Sequence, residues 1–146
     1  MGAEGRAAAR PPLRSIAATT LILALTLMPL PEGDGPGLFP GADKIAHLGM
    51  FALLGLAAQA DAAARGRLRA GAIAAAAFGL LLAAGTELAQ AFIPGRGADP
   101  ADFAADAAGL ISGLLAGRAL VLRTRREAGA SRGSGEDILT KDGLGR

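Results

Sequence analysis

Polar side chains that could do chemistry concentrate in two short stretches of this 146-residue chain. The first reads GADKIAH, and the second reads TELAQAFIPGRGADPADFAAD, residues 86–106. The stretches hold these candidate functional residues: Asp43, Lys44, His47, Glu87, Gln90, Arg96, Asp99, Asp102 and Asp106. Carboxylates and imidazole can move protons, whereas arginine and lysine can bind phosphate or carboxylate groups. We therefore expect one functional pocket if the fold brings the two stretches together.

Several of these residues could also have an ordinary structural role. Asp99 directly precedes Pro100, which is typical of a helix N-cap with proline at the first helical position. Asp102 would then lie in the first turn, where the helix dipole favours a carboxylate. Asp43 could likewise cap its own helix. Asp106 lies about two turns into the helix, beyond capping reach, and so remains a candidate for function.

The elements that must position these residues are long apolar stretches of Ala, Leu and Gly. Hydrophobic residues make up 51% of the chain but aromatic residues only 3%, a pattern that suits helices packed closely in lipid. A membrane helix needs about 20 mostly apolar residues. On this basis we predict spans at residues 13–30, 45–60, 70–93 and 103–122. The expected fold is an all-α polytopic membrane protein, a compact bundle of four transmembrane helices within residues 13–122.

The two ends of the chain have a different composition. Residues 1–12 are basic and residues 123–146 are rich in Gly, Ser and charge, so both segments are predicted to be disordered. Arginines before the first apolar segment also fit a signal peptide. The stretch LMPLPEGDGPG that follows has no small-x-small cleavage site, which favours an uncleaved helix.

Basic residues alternate between the ends of the predicted spans. They precede the first span, separate the second from the third, and follow the fourth: Arg6, Arg10, Arg14, Arg65, Arg67, Arg69, Arg118, Arg123, Arg125 and Arg126. Because arginine favours the cytoplasmic side, this alternation requires four spans and places both termini in the cytoplasm. The two polar stretches then share the external side of a bacterial plasma (inner) membrane.

The third span is predicted to turn its polar residues into the bundle. Residues three or four positions apart share a helix face, so Glu87 and Gln90 lie on one face, to which Leu80 is also assigned. Leu82 is assigned to the opposite, lipid-facing side. An ionisable residue at membrane depth is usually a functional one, because lipid exposure of its charge is costly.

The fourth span carries glycines at a spacing of four. Gly109, Gly113 and Gly117 lie along the same stripe as Asp102 and Asp106, and they form a double GxxxG seam for close helix packing. Three larger residues are predicted to face away from this seam: Ile111, Leu114 and Leu115. The seam also leaves a homo-oligomer open, although contact within one chain is the simpler use.

Several functional classes are excluded or unsupported by the sequence. The chain has no cysteine, so disulfides, thiolate metal sites and cysteine nucleophiles are excluded. No basic patch is interleaved with aromatic residues, so nucleic-acid binding is not predicted. No H-E-x-x-H or G-x-S-x-G motif occurs, and no metal or cofactor is assigned.

The ordered combination of these residues resembles the VanZ-like family of bacterial membrane proteins. The resemblance covers Asp43 to Gly117 and rests on DKIAH with a following Phe, and on E..Q.FIPGR.AD..D with the later glycines. The corresponding positions are Asp43, Lys44, His47, Phe51, Glu87, Gln90, Pro94, Arg96, Asp99, Asp102 and Gly109. Asp106 departs from the family, which typically has asparagine there. The resemblance implies a cell-envelope membrane protein, and the family's namesake is associated with resistance to the glycopeptide teicoplanin.

These observations favour a binding protein over an enzyme. The external pocket would bind a lipid-linked or cell-wall ligand, with Arg96, Lys44 and Gln90 contacting its polar head and the acids orienting them. Membrane lipids are the other expected partners. Two alternatives stay open. Glu87 or His47 could act as a general base with Arg96 stabilising negative charge, or Glu87 could carry protons in a transporter. A divalent metal on His47, Glu87 and Asp106 is chemically allowed.

Overall fold

The computed structural model describes residues 11–29 and 39–142, and within these ranges the chain forms four α-helices and no strand. They are α1 (Leu13–Thr26), α2 (Ala42–Ala64), α3 (Leu68–Gln90) and α4 (Pro100–Asp142). By length and composition α2, α3 and the Pro100–Ala130 part of α4 could cross a membrane, and α1 is a shorter apolar helix. The predicted all-α helical bundle of the membrane type is confirmed. Predictions for residues 1–10, 30 and 143–146 lie outside the described residues.

The helices alternate in direction. Ser15 near the start of α1 contacts Asp61 near the end of α2, so these two helices are antiparallel. Thr26 at the end of α1 contacts Gln90 at the end of α3, so α1 and α3 are parallel. The end of α1, the start of α2, the end of α3 and the start of α4 consequently meet at one end of the bundle. We call this the polar end.

The closest helix contact joins α2 and α4, which run parallel to each other. A Cβ atom added at Gly109 would collide with the carbonyl oxygen of Leu48, and one added at Gly113 would collide with that of Ala52. Gly117 continues the contact further along α4, where an added Cβ would lie 2.8 Å from the Cβ of Gln59. The three glycines thus let two backbones touch within one chain.

Large apolar side chains cover the outside of the bundle. Phe92 is 81% exposed and Leu81 is 74% exposed, whereas buried positions include Thr26, Asp61 and Asp106. Soluble proteins rarely expose large continuous apolar surfaces, but lipid-facing surfaces are apolar by necessity. The interior is held by a small core that includes Phe51, Leu54, Ile22 and Leu110.

The bounds of α2 differ from the predicted span 45–60. The helix begins after Gly41, which takes the left-handed conformation at φ 84° and ends the preceding loop. No side chain caps this end, so the prediction that Asp43 caps α2 is wrong; Asp43 lies inside the first turn. The helix also continues past Ala60, because the next residue, Asp61, is buried and bonded to α1.

The later helices also differ at their ends. α3 ends at Gln90 rather than residue 93, ahead of Pro94 and of Gly95, whose φ of 75° turns the chain. α4 begins at Pro100 and continues to Asp142, through residues that the sequence assigned to a disordered tail. Residues 122–130 are all exposed, so this part has no bundle contact to bury it. Ala, Arg and Glu have high helix propensity, which accounts for a helix without packing partners.

Two face assignments made from helical spacing are wrong. Leu80 is 40% exposed, whereas Leu82 packs against the core, so the buried face of α3 lies slightly to one side of the predicted one. On α4, Leu114 is 9% exposed and belongs to the core rather than to the outer surface. The buried residues of α3 are Gly79, Ala83, Thr86, Glu87 and Gln90.

Candidate functional site

The nine candidate residues meet at the polar end. The first turns of α2 supply three of them, the last turn of α3 two, the α3–α4 connection two, and the first turns of α4 two: Asp43, Lys44, His47, Glu87, Gln90, Arg96, Asp99, Asp102 and Asp106. A cleft of about 220 Å³ opens there. Its lining consists of Asp43, His47, Gln90, Gly95, Arg96, Gly97, Asp99 and Asp102, and we call it the acidic cleft.

Lys44 joins α2 to the start of α4 through three carboxylates. Its Nζ lies 2.7 Å from Asp99 Oδ2, 3.0 Å from Asp102 Oδ1 and 3.3 Å from Asp43 Oδ2. The hydrogen bond from Lys44 holds the pKa of the Asp99 carboxyl below its usual value. Its three partners are all acids and neutralise the charge of the ammonium group. Lys44 should therefore attract an anionic ligand only weakly.

Asp99 has a second role at the N-terminus of α4. Its Oδ1 accepts a hydrogen bond from the backbone N–H of Ala101 at 2.8 Å, as an N-cap residue does. Its own backbone N–H donates to Glu87 Oε2 at 2.9 Å. Asp99 therefore connects the end of α3, the start of α2 through Lys44, and the first turn of α4.

His47, Glu87 and Asp106 form a compact group beneath the acidic cleft, which we call the buried triad. His47 Nδ1 lies 3.0 Å from Asp106 Oδ1 and 4.0 Å from Glu87 Oε1. One ligand-type atom of each residue lies within 4.8 Å of the other two. Asp106 has no exposed surface, and the other two side chains are also buried. Each residue comes from a different helix, so the bundle itself sets their spacing.

Two carboxylate oxygens of the buried triad are unsatisfied. Glu87 Oε1 and Asp106 Oδ2 have no hydrogen-bond partner among the described residues. A buried polar atom is nearly always bonded, and leaving a charged one unpaired costs several kcal/mol. Both oxygens can therefore accept a bond from a group that the described residues do not provide.

Gln90 and Arg96 bind the C-terminal end of α1. Gln90 Nε2 donates to the carbonyl of Thr26 at 3.0 Å, and Arg96 donates to the carbonyls of Leu25 at 2.7 Å and Met28 at 3.0 Å. The last carbonyls of a helix have no partner within the helix. The 14 residues of α1 reach only about 21 Å, short of a hydrocarbon core of about 30 Å, so its end needs partners from the protein.

Comparison with known protein families assigns the chain to one of them. The family model described as VanZ/LLP1 matches residues 9–122, more than three quarters of the chain. The chain belongs to the VanZ/LLP1 family. No curated protein and no solved structure matches it significantly. The matched range contains α1, α2, α3 and the bundled part of α4, and with them the acidic cleft and the buried triad of this VanZ/LLP1 protein.

A second polar cluster at the opposite end of the bundle was missed from the sequence. Asp61 is 6% exposed and accepts hydrogen bonds from the backbone N–H and the Oγ of Ser15, and Arg14 lies 3.7 Å from it. The available signal was an acid inside a run of alanines, next to a basic loop. Asp61 stabilises the first turn of α1 in this VanZ/LLP1 chain, so its role is structural.

Proposed function

We propose that this VanZ/LLP1 protein is a multi-pass protein of the bacterial plasma membrane that binds the polar head of a lipid-linked or cell-wall ligand in the acidic cleft. The observation that carries the proposal is the cleft itself. It is lined almost wholly by charged or amide side chains and glycine backbone, and it lies at one end of an otherwise apolar bundle.

The size and charge of the cleft narrow the ligand class. A volume of about 220 Å³ is below the 300–1,000 Å³ typical of drug-sized ligands, so it suits one polar group of a larger molecule. Within the part of the chain that the structure describes, the polar end has five carboxylates and two cations, Lys44 and Arg96, and both cations already contact oxygen atoms of the protein. This balance favours ammonium, amide or hydroxyl donors on the ligand over a bare phosphate.

The roles assigned to individual residues follow from their remaining hydrogen-bonding capacity. Gln90 and Lys44, which the sequence predicted as ligand contacts, already bond to Thr26 and to three acids. Arg96 uses two of its five N–H donors on α1, and the other three have no partner among the described residues and could bind a ligand oxygen. Asp99 and Asp43, whose side chains are 44% and 36% exposed, are the cleft carboxylates most open to a ligand donor.

Native mass spectrometry of the protein released from lipid nanodiscs tests this proposal. Gly97 lines the cleft, and a Cβ atom added there would meet nothing within 4 Å, so Gly97→Phe should fill the cleft without disturbing the helices. Wild type should carry a bound lipid-linked or cell-wall species that Gly97→Phe lacks. Gly85→Phe is the matched control, since Gly85 also has open space but lies on the exposed side of α3. Equal ligand content in all three proteins, or none in wild type, would refute the proposal.

One observation favours an enzyme as the second candidate. A histidine 3.0 Å from one buried carboxylate and 4.0 Å from another is suited to general acid–base chemistry. Neither serine of the spans is near it: Ser15 bonds to Asp61 at the opposite end, and Ser112 donates to the carbonyl of Ala108. The nucleophile would therefore be water. Incubation with lipid-linked cell-wall precursors should then yield a hydrolysis product that His47→Gln does not form.

A further inference from the structure

We propose that the buried triad of His47, Glu87 and Asp106 binds one divalent transition-metal cation. The three side chains present one nitrogen and two carboxylate donors, from α2, α3 and α4. The sequence left a divalent metal on these three residues as chemically allowed but assigned none, because no local metal-binding motif occurs. This inference does not depend on the identity of the ligand in the acidic cleft.

The first argument is that two carboxylate oxygens of the triad have no bonding partner among the described residues. Glu87 Oε1 and Asp106 Oδ2 are buried without a partner among the described residues, and Asp106 is wholly inaccessible. Both oxygens belong to residues that also contact or approach His47 Nδ1. A cation placed between the three side chains would meet all three donor groups and would replace the proton that His47 Nδ1 shares with Asp106.

Asp61 provides an internal comparison. It is also a buried carboxylate on a helix of this bundle, yet one of its oxygens accepts two hydrogen bonds from Ser15 and the other faces Arg14 at 3.7 Å. Neither oxygen of Asp61 is therefore among the buried, unpartnered atoms of the described residues. Glu87 and Asp106 receive one partner each and keep one free oxygen, which is the arrangement expected of ligands awaiting a cation.

Charge gives a second, independent argument. Among the described residues, the polar end has five acidic groups and two fixed positive charges: Asp43, Glu87, Asp99, Asp102 and Asp106 against Lys44 and Arg96. Lys44 contacts the three acids outside the triad, and Arg96 contacts carbonyls of α1. Of the basic groups in residues 11–29 and 39–142, only the His47 imidazole then lies close to the two carboxylates of the triad. One divalent cation would balance the pair, and in an apolar bundle the gain from doing so is large.

The donor set and spacing indicate the class of cation. Imidazole suits zinc and other first-row metals, and carboxylates also suit manganese, so Zn²⁺ or Mn²⁺ fits a set of one nitrogen and two oxygens. Bonds of about 2.1 Å place neighbouring ligand atoms about 3.0–3.4 Å apart. The His47–Asp106 distance of 3.0 Å already meets this, and the 4.0 Å to Glu87 requires a small inward movement of one side chain.

The acidic cleft supplies both access and open coordination positions. His47 belongs to the lining of the cleft as well as to the triad, so an ion can enter from the polar end. Three protein ligands leave at least one position for water or for an oxygen of a bound molecule. Metal binding would then place a positive charge beneath a cleft whose lining is acidic.

The test is metal analysis of the full chain, purified in detergent without chelator or histidine tag. Elemental mass spectrometry should find about one zinc or manganese ion per chain. After removal of the ion with EDTA, titration with Zn²⁺ and Mn²⁺ should give saturable one-to-one binding. Glu87→Gln and Asp106→Asn, which keep the side-chain shape, should each weaken binding by at least about tenfold. Co²⁺ should give a visible spectrum that changes in His47→Gln.

Asp61→Asn is the matched control, since it neutralises a buried carboxylate outside the triad and should bind metal as wild type does. Gly97→Phe alters none of the three metal ligands, so it should slow both entry and release of the ion through the filled cleft but keep one ion per chain at equilibrium, which separates this inference from the ligand proposal. Circular dichroism and gel filtration check that each variant is folded. Absence of saturable one-to-one binding by wild type would overturn the inference by itself. So would equal affinity of wild type, Glu87→Gln and Asp106→Asn, since the ion would then lie on the exposed acids.

Discussion

Asp61 on α2 accepts two hydrogen bonds from Ser15 on α1, one from the backbone N–H at 2.9 Å and one from Oγ at 2.8 Å. The N–H groups of a first helical turn have no acceptor within their own helix. A carboxylate supplied by a neighbouring helix therefore completes the start of α1, in the way that an N-cap side chain usually does within one helix. The contact also fixes α1 against α2 at the end opposite the acidic cleft.

Replacing Asp61 should destabilise the bundle. Asp61→Ala removes a charged acceptor and leaves the half-buried Ser15 N–H without its partner, so we expect a loss of about 2 kcal/mol in the free energy of unfolding. Ser15→Ala removes only the Oγ bond and should cost about 1 kcal/mol. Reversible unfolding in mixed detergent micelles, followed by circular dichroism, measures both. Ser112→Ala, which alters an exposed hydroxyl, should change stability by less than about 0.5 kcal/mol. Similar values for all three variants would contradict this role of Asp61.

The two glycine substitutions Gly113→Ala and Gly85→Ala should have effects of opposite sign. The added methyl at Gly113 collides with the carbonyl oxygen of Ala52, a backbone atom that cannot rotate away, so we expect a loss of about 1–3 kcal/mol. At Gly85 the methyl meets nothing within 4 Å, and replacing glycine by alanine inside a helix stabilises it by up to about 1 kcal/mol. The same unfolding assay compares them. A stable Gly113→Ala protein would mean that α2 and α4 are not in backbone contact.

Substitution by leucine should have different effects on stability at the two buried glutamines Gln90 and Gln59. Gln90→Leu removes the donor to the carbonyl of Thr26 and should cost about 1–3 kcal/mol. Gln59 has an Oε1 with no partner among the described residues, so Gln59→Leu should be neutral or stabilising. The unfolding assay measures both stabilities. Amide hydrogen exchange at the end of α1 is a second measurement, because only Gln90→Leu should increase the exchange rate there. An equal increase in both variants would show that Gln90 has no specific role at this helix end.

The orientation of the bundle can be measured directly, because the chain has no native cysteine. Ala98→Cys introduces an exposed thiol at the polar end, and Ala64→Cys introduces one at the basic end. If the basic end is cytoplasmic, a membrane-impermeant maleimide added to intact cells should label only Ala98→Cys. Ala64→Cys should become reactive after permeabilisation. The reverse pattern would place the acidic cleft in the cytoplasm and exclude an external ligand.

Sequence periodicity and charge predicted the architecture well, for a physical reason. Apolar length identifies helices that cross a membrane, and the same four-residue spacing that defines a helix face placed Asp102, Asp106 and Gly113 on one stripe. Those residues are buried together in the structure. Glu87 on α3 is buried with them, as expected of an ionisable side chain at membrane depth.

The contacts between helices could not be predicted in the same way. Spacing places Gln90 and Arg96 near the external side of the bundle, but it contains no information about where α1 ends in space. Both residues were therefore assigned to a ligand, whereas they bond to carbonyls of Thr26, Leu25 and Met28. The short length of α1 was the missing fact, because it creates unsatisfied backbone groups within reach of the α3–α4 connection.

The hydrogen bonds from Gln90 and Arg96 to the end of α1 can form only late in synthesis of the chain. Leu25 and Arg96 are 71 positions apart in the chain, and Thr26 and Gln90 are 64 apart. The ribosome delivers α1 first, yet the partners of its last carbonyls do not exist until the turn after α3 has been synthesised. Until then α1 must be kept near the translocon or tolerate unsatisfied carbonyls. The α1 helix is thus synthesised well before the partners of its final hydrogen bonds.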